Sequence, residues 1–125
     1  MQNDNSKFKT DLKGRSYQYS IEMIRFLEVL PKDNASIVIR SQLLRSATSV
    51  GANIIEAQAA SSRKDFTNFM THSLKSANES LYWLNLLRDA KQFSHPQLDY
   101  LLSETNALAK ILGASILTLK NKNKF

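Results

Sequence analysis

The chain has 125 residues, three glycines, two prolines, no cysteine and a formal net charge of +6. This length suits one domain with one hydrophobic core, and the scarcity of turn residues disfavours a β-sandwich or a β-barrel. Without cysteine, a disulfide framework, a thiolate metal site and a thiol nucleophile are excluded.

The first predicted helix covers residues 16–30 and follows a polar segment, residues 1–15, that we expect to be a flexible basic tail. Its apolar side chains recur at three- and four-residue spacing. The main ridge consists of Tyr17, Ile21, Ile24 and Leu27, with Met23, Phe26 and Leu30 beside it. Pro31 ends this helix, because the residue before a proline is pushed out of the helical conformation. No signal peptide and no membrane span is recognisable, so we expect a cytoplasmic protein.

The second predicted helix begins after Asp33 or Asn34, either of which can cap it, and ends near Ala59. The third begins after Ser62, whose spacing to Asp65 resembles a capping box, and ends near residue 90.

The fourth predicted helix begins near Pro96, with Ser94 as its cap, and its apolar stripe continues to Leu119. Long helices joined by short connections fold back on one another. The sequence therefore predicts an all-α, antiparallel up-down-up-down four-helix bundle over residues 16–119, followed by a basic tail, residues 120–125.

Polar and small residues occupy the interior of the second helix. Arg45, Asn53 and Glu56 recur on one face, beside Gly51. A glycine inside a helix costs about 1 kcal/mol relative to alanine, so we expect a neighbouring helix to approach closely there. Antiparallel register places Arg45 near Glu79 of the third helix. Two interpretations stay open: a binding groove lined by these polar side chains, or a mostly buried Arg45–Glu79 ion pair that fixes the register, which we favour.

The sequence offers little for catalysis. Its two histidines, His72 and His95, lie on different predicted helices, and neither has a second ligand at the spacing of a zinc site. No Glu-x-x-His pair and no glycine-rich phosphate loop is present. We expect a protein that is not an enzyme and that uses no metal and no cofactor.

Positive charge is concentrated near the two ends of the sequence, and half of the net charge lies in the last six residues. Such charge suits contacts with the phosphates of nucleic acids. Contacts of this kind recognise the backbone rather than the bases. The residues expected to contact phosphates are Lys7, Lys9, Lys13, Arg40, Arg63, Lys64, Lys120, Lys122 and Lys124.

The segment LYWLNLL, residues 81–87, is apolar around most of the helix. A helix in a lone bundle buries one stripe, so the remaining apolar surface indicates contact between copies of the chain. The predicted oligomer interface consists of Tyr82, Trp83, Leu86 and Leu87.

Several segments together resemble the bacterial four-helix-bundle family of 23S ribosomal RNA intervening-sequence proteins, over about residues 16–119. The matching elements are Leu30-Pro31, Gln42-Leu43-x-Arg45, Asn53-x-x-Glu56, Lys64-Asp65-Phe66 and Ser76-x-x-Glu79. The sequence departs from the family pattern at Ser46, Ala57 and Lys75.

The resemblance implies a homopentamer, and a likeness to the accessory proteins of diversity-generating retroelements, which bind nucleic acid and a reverse transcriptase. Two functions follow as hypotheses. The first is a homo-oligomer that binds nucleic acid, RNA above all. The alternative is a protein–protein scaffold that docks a larger enzyme such as a reverse transcriptase.

Overall fold

The computed structural model describes residues 11–122, which fold as four α-helices joined by short connections. They are α1 (Leu12–Leu27), α2 (Asn34–Gln58), α3 (Arg63–Asp89) and α4 (Pro96–Lys122), with no strand in this range. The predicted all-α class is confirmed. Each helix packs against two others: α2 lies between α1 and α3, and α4 packs against α3 and, less extensively, against α1.

None of the helices within residues 11–122 is both long and apolar enough to cross a lipid bilayer.

The core is built from apolar side chains of all four helices. The apolar stripe predicted for α4 is buried from Leu98 to Ile116, but the ridge predicted for α1 is wrong at Tyr17 and Ile24, which are 58% and 43% exposed. Two ridges of α1 have helical spacing, and the one with more large side chains faces the core. The buried side chains of that ridge are Tyr19, Met23, Phe26 and Leu27, and Leu30 is buried just beyond the end of the helix.

A layer of fully buried hydroxyl groups crosses the middle of the bundle, with one residue from each helix: Tyr19, Ser46, Ser80 and Thr105. The Tyr19 hydroxyl lies 2.7 Å from Thr105 Oγ1, and Ser46 Oγ lies 2.8 Å from Ser80 Oγ. Ser80 Oγ also donates to the carbonyl oxygen of Ser76 at 2.9 Å, and burial raises the pKa of Tyr19 to about 12. Sliding one helix along another would leave these groups unpaired in the core, so this central polar layer fixes the register.

Small side chains line the contact between α2 and α3. Ser46, Ala47, Ser73, Ala77 and Ser80 are all fully buried. Ser73 Oγ donates a hydrogen bond to the carbonyl oxygen of Val50 at 2.7 Å, which requires the two helix backbones to lie close together. The small residues make that approach possible.

Gly51 allows α1 to pack closely against α2. A Cβ atom at this position would lie 3.2 Å from Oγ and 3.4 Å from the carbonyl oxygen of Ser16, which is itself buried. The predicted close approach at Gly51 is therefore confirmed, and the helix that approaches is α1.

The N-termini of the helices depend on specific side-chain caps. Asp11 accepts a hydrogen bond from the Gly14 N–H at 2.6 Å, so α1 begins at Leu12, before the predicted boundary. The predicted Ser62 cap of α3 is confirmed by its hydrogen bond from the Asp65 N–H at 3.0 Å. These contacts satisfy N–H groups that have no partner within the helix.

The predicted Ser94 cap of α4 is wrong. His95 Nδ1 instead accepts a hydrogen bond from the Gln97 N–H at 3.1 Å. The ring of His95 stacks on Phe93, and Phe93 in turn meets Phe26 edge-on at 6.0 Å, so the connection between α3 and α4 is anchored to α1.

Asp33 caps α2 and should make the stability of the protein sensitive to acid. Its carboxylate accepts hydrogen bonds from the Ser36 N–H at 3.0 Å and the Ser36 hydroxyl at 2.9 Å, and Lys91 Nζ lies 3.1 Å away. These contacts, the backbone bond above all, lower the pKa of Asp33 from 3.8 to about 2. Since the folded-state value is the lower one, the stabilisation is complete above about pH 4 and is lost as the pH falls towards 2.

We expect Asp33→Asn, which keeps a side-chain acceptor, to flatten the dependence of the melting temperature on pH between about 4 and 2. Thermal melts of both proteins across this range measure the effect. A variant with the same pH dependence as the parent would show that Asp33 does not contribute to it.

Candidate nucleic-acid interface

Contacts between α1 and α4 show which ends of these two helices lie together. Tyr19 meets Thr105 in the central polar layer, and the Tyr100 hydroxyl donates a hydrogen bond to Glu22 at 3.0 Å. Residue numbers therefore rise along α1 as they fall along α4. The start of α1 and the end of α4 point the same way.

Contacts between α2 and α3 show which ends of this second pair of helices lie together. Ser46 lies opposite Ser80, whereas Val50, one turn later in α2, lies opposite Ser73. A short connection joins the end of α2 to the start of α3. With Ser16 of α1 against Gly51 of α2, the start of α1, the end of α2, the start of α3 and the end of α4 share one end of the bundle.

Basic residues from three helices converge at this end. Arg63 lies before Ser80 in α3, and Lys122 lies the same number of residues after Thr105 in α4. At a rise of 1.5 Å per residue, Arg63 and Lys122 are therefore both about 25 Å from the central polar layer. Lys64 and Lys120 lie beside them, and α1 contributes a further lysine from its first turn. We call this the basic end, defined by Lys13, Arg63, Lys64, Lys120 and Lys122.

All five side chains of the basic end are exposed, and none forms an ion pair with another residue in the range 11–122. Three acidic residues lie nearby, and two of them are occupied with backbone N–H groups: Asp11 caps α1, and Asp65 accepts from the Ser61 N–H at 3.4 Å. The third, Glu56, is exposed. Five basic residues against three acidic ones leave the basic end with an excess of positive charge that is available to an anionic partner.

The opposite end of the bundle carries as many acidic as basic residues, and several of them are paired. Arg88 and Asp89 form an ion pair at 2.8 Å, and Lys91 lies 3.1 Å from Asp33. The electrostatic asymmetry between the two ends is not visible in the total charge. The ionisable residues of this end are Glu22, Arg25, Glu28, Lys32, Asp33, Arg40, Arg88, Asp89, Lys91 and Asp99.

The structure brings together Lys13, Arg63, Lys64, Lys120 and Lys122, but it does not place Arg40 with them. Arg40 lies in the half of α2 nearer the opposite end, half-buried beside Ile24 and Leu44 in a groove of about 200 Å³. Lys13, Lys120 and Lys122 belong to α1 and α4 rather than to tails. The remaining predicted phosphate contacts, Lys7, Lys9 and Lys124, lie outside the described residues.

The predicted Arg45–Glu79 ion pair exists, but the prediction that it is mostly buried is wrong. Its side chains are 55% and 35% exposed, because both lie on the outer edge of the contact between α2 and α3. Arg45 also donates to Gln42 at 2.9 Å, and Glu79 accepts from Trp83 Nε1 at 3.0 Å. The hydrogen bond from Trp83 is the largest influence on Glu79, and together with the hydrogen bond and charge of Arg45 it lowers the pKa of that carboxyl.

The other two members of the predicted polar stripe do not join this pair. The Asn53 amide donates to the carbonyl oxygen of Ser49 in its own helix at 2.9 Å, and Glu56 is exposed one turn further on. Arg45 and Glu79 pair with each other, whereas Asn53 and Glu56 do not join them, so the four side chains do not converge on one site.

We expect Arg45→Ala to reduce the free energy of unfolding by less than about 1 kcal/mol, because solvent screens an exposed pair. If the pair were buried, the same substitution would reduce the free energy of unfolding by roughly 3–5 kcal/mol. Urea unfolding of the variant and of the parent distinguishes the two cases. A loss above about 3 kcal/mol would contradict the exposed geometry.

The predicted oligomer interface is wrong in part. Leu87 is fully buried in the core of the single chain, and Trp83 and Leu86 are partly buried against that core. Of the four residues only Tyr82 is largely exposed, at 58%, and its ring packs edge-on against Trp83 with 5.1 Å between the centroids. Segment 81–87 is apolar on several sides because α3 packs against both α2 and α4.

Sequence reasoning missed an exposed apolar groove between α1 and α2. Tyr17 and Ile55 line a part of about 250 Å³, and Ile24 and Leu44 line a further part of about 200 Å³. The sequence signal for this groove was the helical spacing of Tyr17 and Ile24. That spacing is the same for a buried ridge and for an exposed one, so it did not distinguish them. Within residues 11–122, no cluster of three or more acidic or histidine side chains could hold a metal ion.

Comparisons with known proteins agree with this architecture. The model of the 23S rRNA-intervening sequence protein family matches residues 9–114. A crystal structure of a protein with unknown function, from the S23 ribosomal protein family of Bacteroides thetaiotaomicron VPI-5482, is 34% identical to this chain. The match covers 85% of this chain and 98% of the other, with a TM-score of 0.78. No curated protein matches the chain.

Proposed function

This chain belongs to the family of 23S rRNA-intervening sequence proteins, and we propose that it is a non-enzymatic, cytoplasmic homo-oligomer that binds nucleic acid, RNA above all, through its basic end. The observation that carries the proposal is the convergence of exposed, unpaired basic side chains from three helices, while the opposite end is balanced in charge.

The proposal includes an up-down-up-down order of the helices. The opposed numbering of the α1–α4 and α2–α3 contacts supports it. This order is what brings Arg63 and Lys64 to the same end as Lys120 and Lys122, although more than fifty residues of chain separate them.

Binding of this kind reads charge and backbone rather than bases. Lysine and arginine side chains displace counterions from the phosphates, so the affinity falls steeply with salt concentration. Five residues in one chain provide a modest attraction.

Association of several chains would multiply that attraction, because contacts made by linked sites are intramolecular after the first. The family resemblance implies five copies, which would carry five times the formal charge of +6. We therefore propose a homopentamer as the binding form.

A gel-shift titration with single-stranded RNA, duplex RNA and DNA of equal length, at about 50 mM and about 200 mM salt, tests the proposal. We expect retardation at the lower salt concentration, strongest for RNA, and a loss of affinity of several orders of magnitude at the higher one if six or more phosphates are contacted. Absence of retardation by every nucleic acid at low salt would refute the proposal and favour the scaffold function.

A further inference from the structure

Five large apolar side chains are exposed along the side of the bundle formed by α1 and α2. Each is between 42% and 58% exposed, and they make up half of the large exposed apolar side chains in residues 11–122. They follow the groove between the two helices from one end to the other. We call this surface the α1–α2 face, defined by Tyr17, Ile24, Ile37, Leu44 and Ile55.

The middle of the α1–α2 face carries no charge. Between its apolar side chains lie small or hydroxyl-bearing residues, among them Ser20, Thr48 and Ala52. The charged residues that line the groove are Lys13 near Tyr17 and, in the other half, Glu28 and Arg40 beside Ile24 and Leu44.

The other large exposed apolar side chains do not form a comparable surface. Tyr82 packs on Trp83, and the hydroxyl of Tyr100 is bonded to Glu22. Val29, Val38 and Leu117 lie on three different elements. The five side chains of the α1–α2 face, in contrast, lie on two helices that pack against each other.

We propose that a second copy of this chain packs on the α1–α2 face. The proposal rests on the homo-oligomer part of the proposed function and adds the surface through which the copies meet. It replaces the interface predicted around Leu87, which is occupied by the core of the single chain.

The exposed area fits one side of a stable interface. The five side chains together expose on the order of 400 Å², if a fully exposed large side chain presents roughly 150–250 Å². One side of a standard interface buries about 800 Å², of which about 56–58% is apolar. The apolar area required is thus close to the area that this face exposes.

Charge favours a second copy as the occupant. A chain with a net charge of +6 repels itself, most strongly where its unpaired basic residues cluster. A copy that packs on the α1–α2 face covers largely uncharged surface and leaves the basic ends exposed. A polyanion, in contrast, finds no partner charge in the middle of this face.

Light scattering coupled to gel filtration, at micromolar concentrations, tests the proposal with Leu44→Glu/Ile55→Glu as the disrupting variant. Val38→Glu is the matched control, since Val38 lies on the same helix and is 56% exposed outside the face. We expect the parent and the control to be assembled and the disrupting variant to be monomeric, with a dissociation constant raised by roughly 100-fold or more. Circular dichroism verifies that the helices persist.

Leu44→Ala/Ile55→Ala provides a second reading if the glutamates impair folding, because alanine retains helicity and should raise the dissociation constant by a smaller factor. A parent that is monomeric, or face variants that keep the mass of the parent, would overturn the proposal. Gel shifts of the same proteins keep the two proposals distinct. If the parent is monomeric but retards RNA in the gel, the interface is refuted and nucleic-acid binding is supported. If the parent is assembled but does not retard RNA, nucleic-acid binding is refuted and the interface is supported.

Discussion

Replacing Arg63, Lys64, Lys120 and Lys122 with glutamine should lower the affinity for single-stranded RNA by roughly 10²–10³-fold at about 0.1 M salt. Each lost phosphate contact removes the release of a counterion and reduces the log–log salt slope by about 0.7. Four lost contacts therefore reduce the slope by about 3. All four residues are exposed and form no ion pair within residues 11–122, so the melting temperature should hardly change.

A control variant distinguishes the effect of charge at the basic end on RNA affinity from the effect of the total charge of the protein. Arg25, Lys32, Lys75 and Lys110 are also exposed, form no ion pair with another described residue and lie away from the basic end. Replacing these four with glutamine changes the net charge by the same amount. Fluorescence anisotropy titrations at several salt concentrations should show a much smaller loss of affinity for this control. Equal losses in the two variants would mean that RNA responds to the total charge alone.

Ala77→Leu should produce the largest loss of stability among the single substitutions considered. Ala77 is fully buried in the contact between α2 and α3, where serine and alanine side chains allow the backbones to approach. A leucine there must push the helices apart or take a strained rotamer, at a cost of about 1–3 kcal/mol. This corresponds to a fall in melting temperature of roughly 5–15 °C for a domain of this size.

Ala114→Leu is the matched control for this substitution, because Ala114 is an alanine in the interior of α4 whose side chain is exposed. The chemical change is the same, and leucine and alanine are both strong helix formers, so the control should melt close to the parent. Thermal melts followed by circular dichroism measure both variants. Equal melting temperatures for Ala77→Leu and the parent would contradict the tight packing of α2 against α3.

The sequence predicted the helices well because their ends carry local signals. Asp33 and Ser62 cap α2 and α3, and Pro96 begins α4, whereas α1 ends at Leu27, before the boundary predicted from Pro31. The orientation of α2 and α4 was also predictable, since each has one dominant apolar stripe.

Predictions failed where several helix faces satisfy the same spacing. In α1, both the ridge through Tyr17 and the ridge through Tyr19 recur with helical period, and only packing against the other helices decides between them. The pairing of Arg45 with Glu79 followed from register, but its exposure depends on where the edge of the contact lies. Sequence spacing does not contain that information.

The basic end was predictable from the sequence only in part. Each of its residues was recognisable as a candidate from its charge, but their convergence depends on the order in which the helices pack. Arg40 shows the difference, since its charge is the same and its position on α2 places it elsewhere.

Protection of individual lysines from acetylation, measured by mass spectrometry with and without bound RNA, tests the basic end most directly because it needs no substitution. We expect RNA to protect Lys64, Lys120 and Lys122 and to leave Lys32 and Lys91, at the opposite end, as reactive as in the free protein. Protection of Lys32 and Lys91, or equal reactivity of all five lysines in the presence of saturating RNA, would contradict a nucleic-acid interface at the basic end.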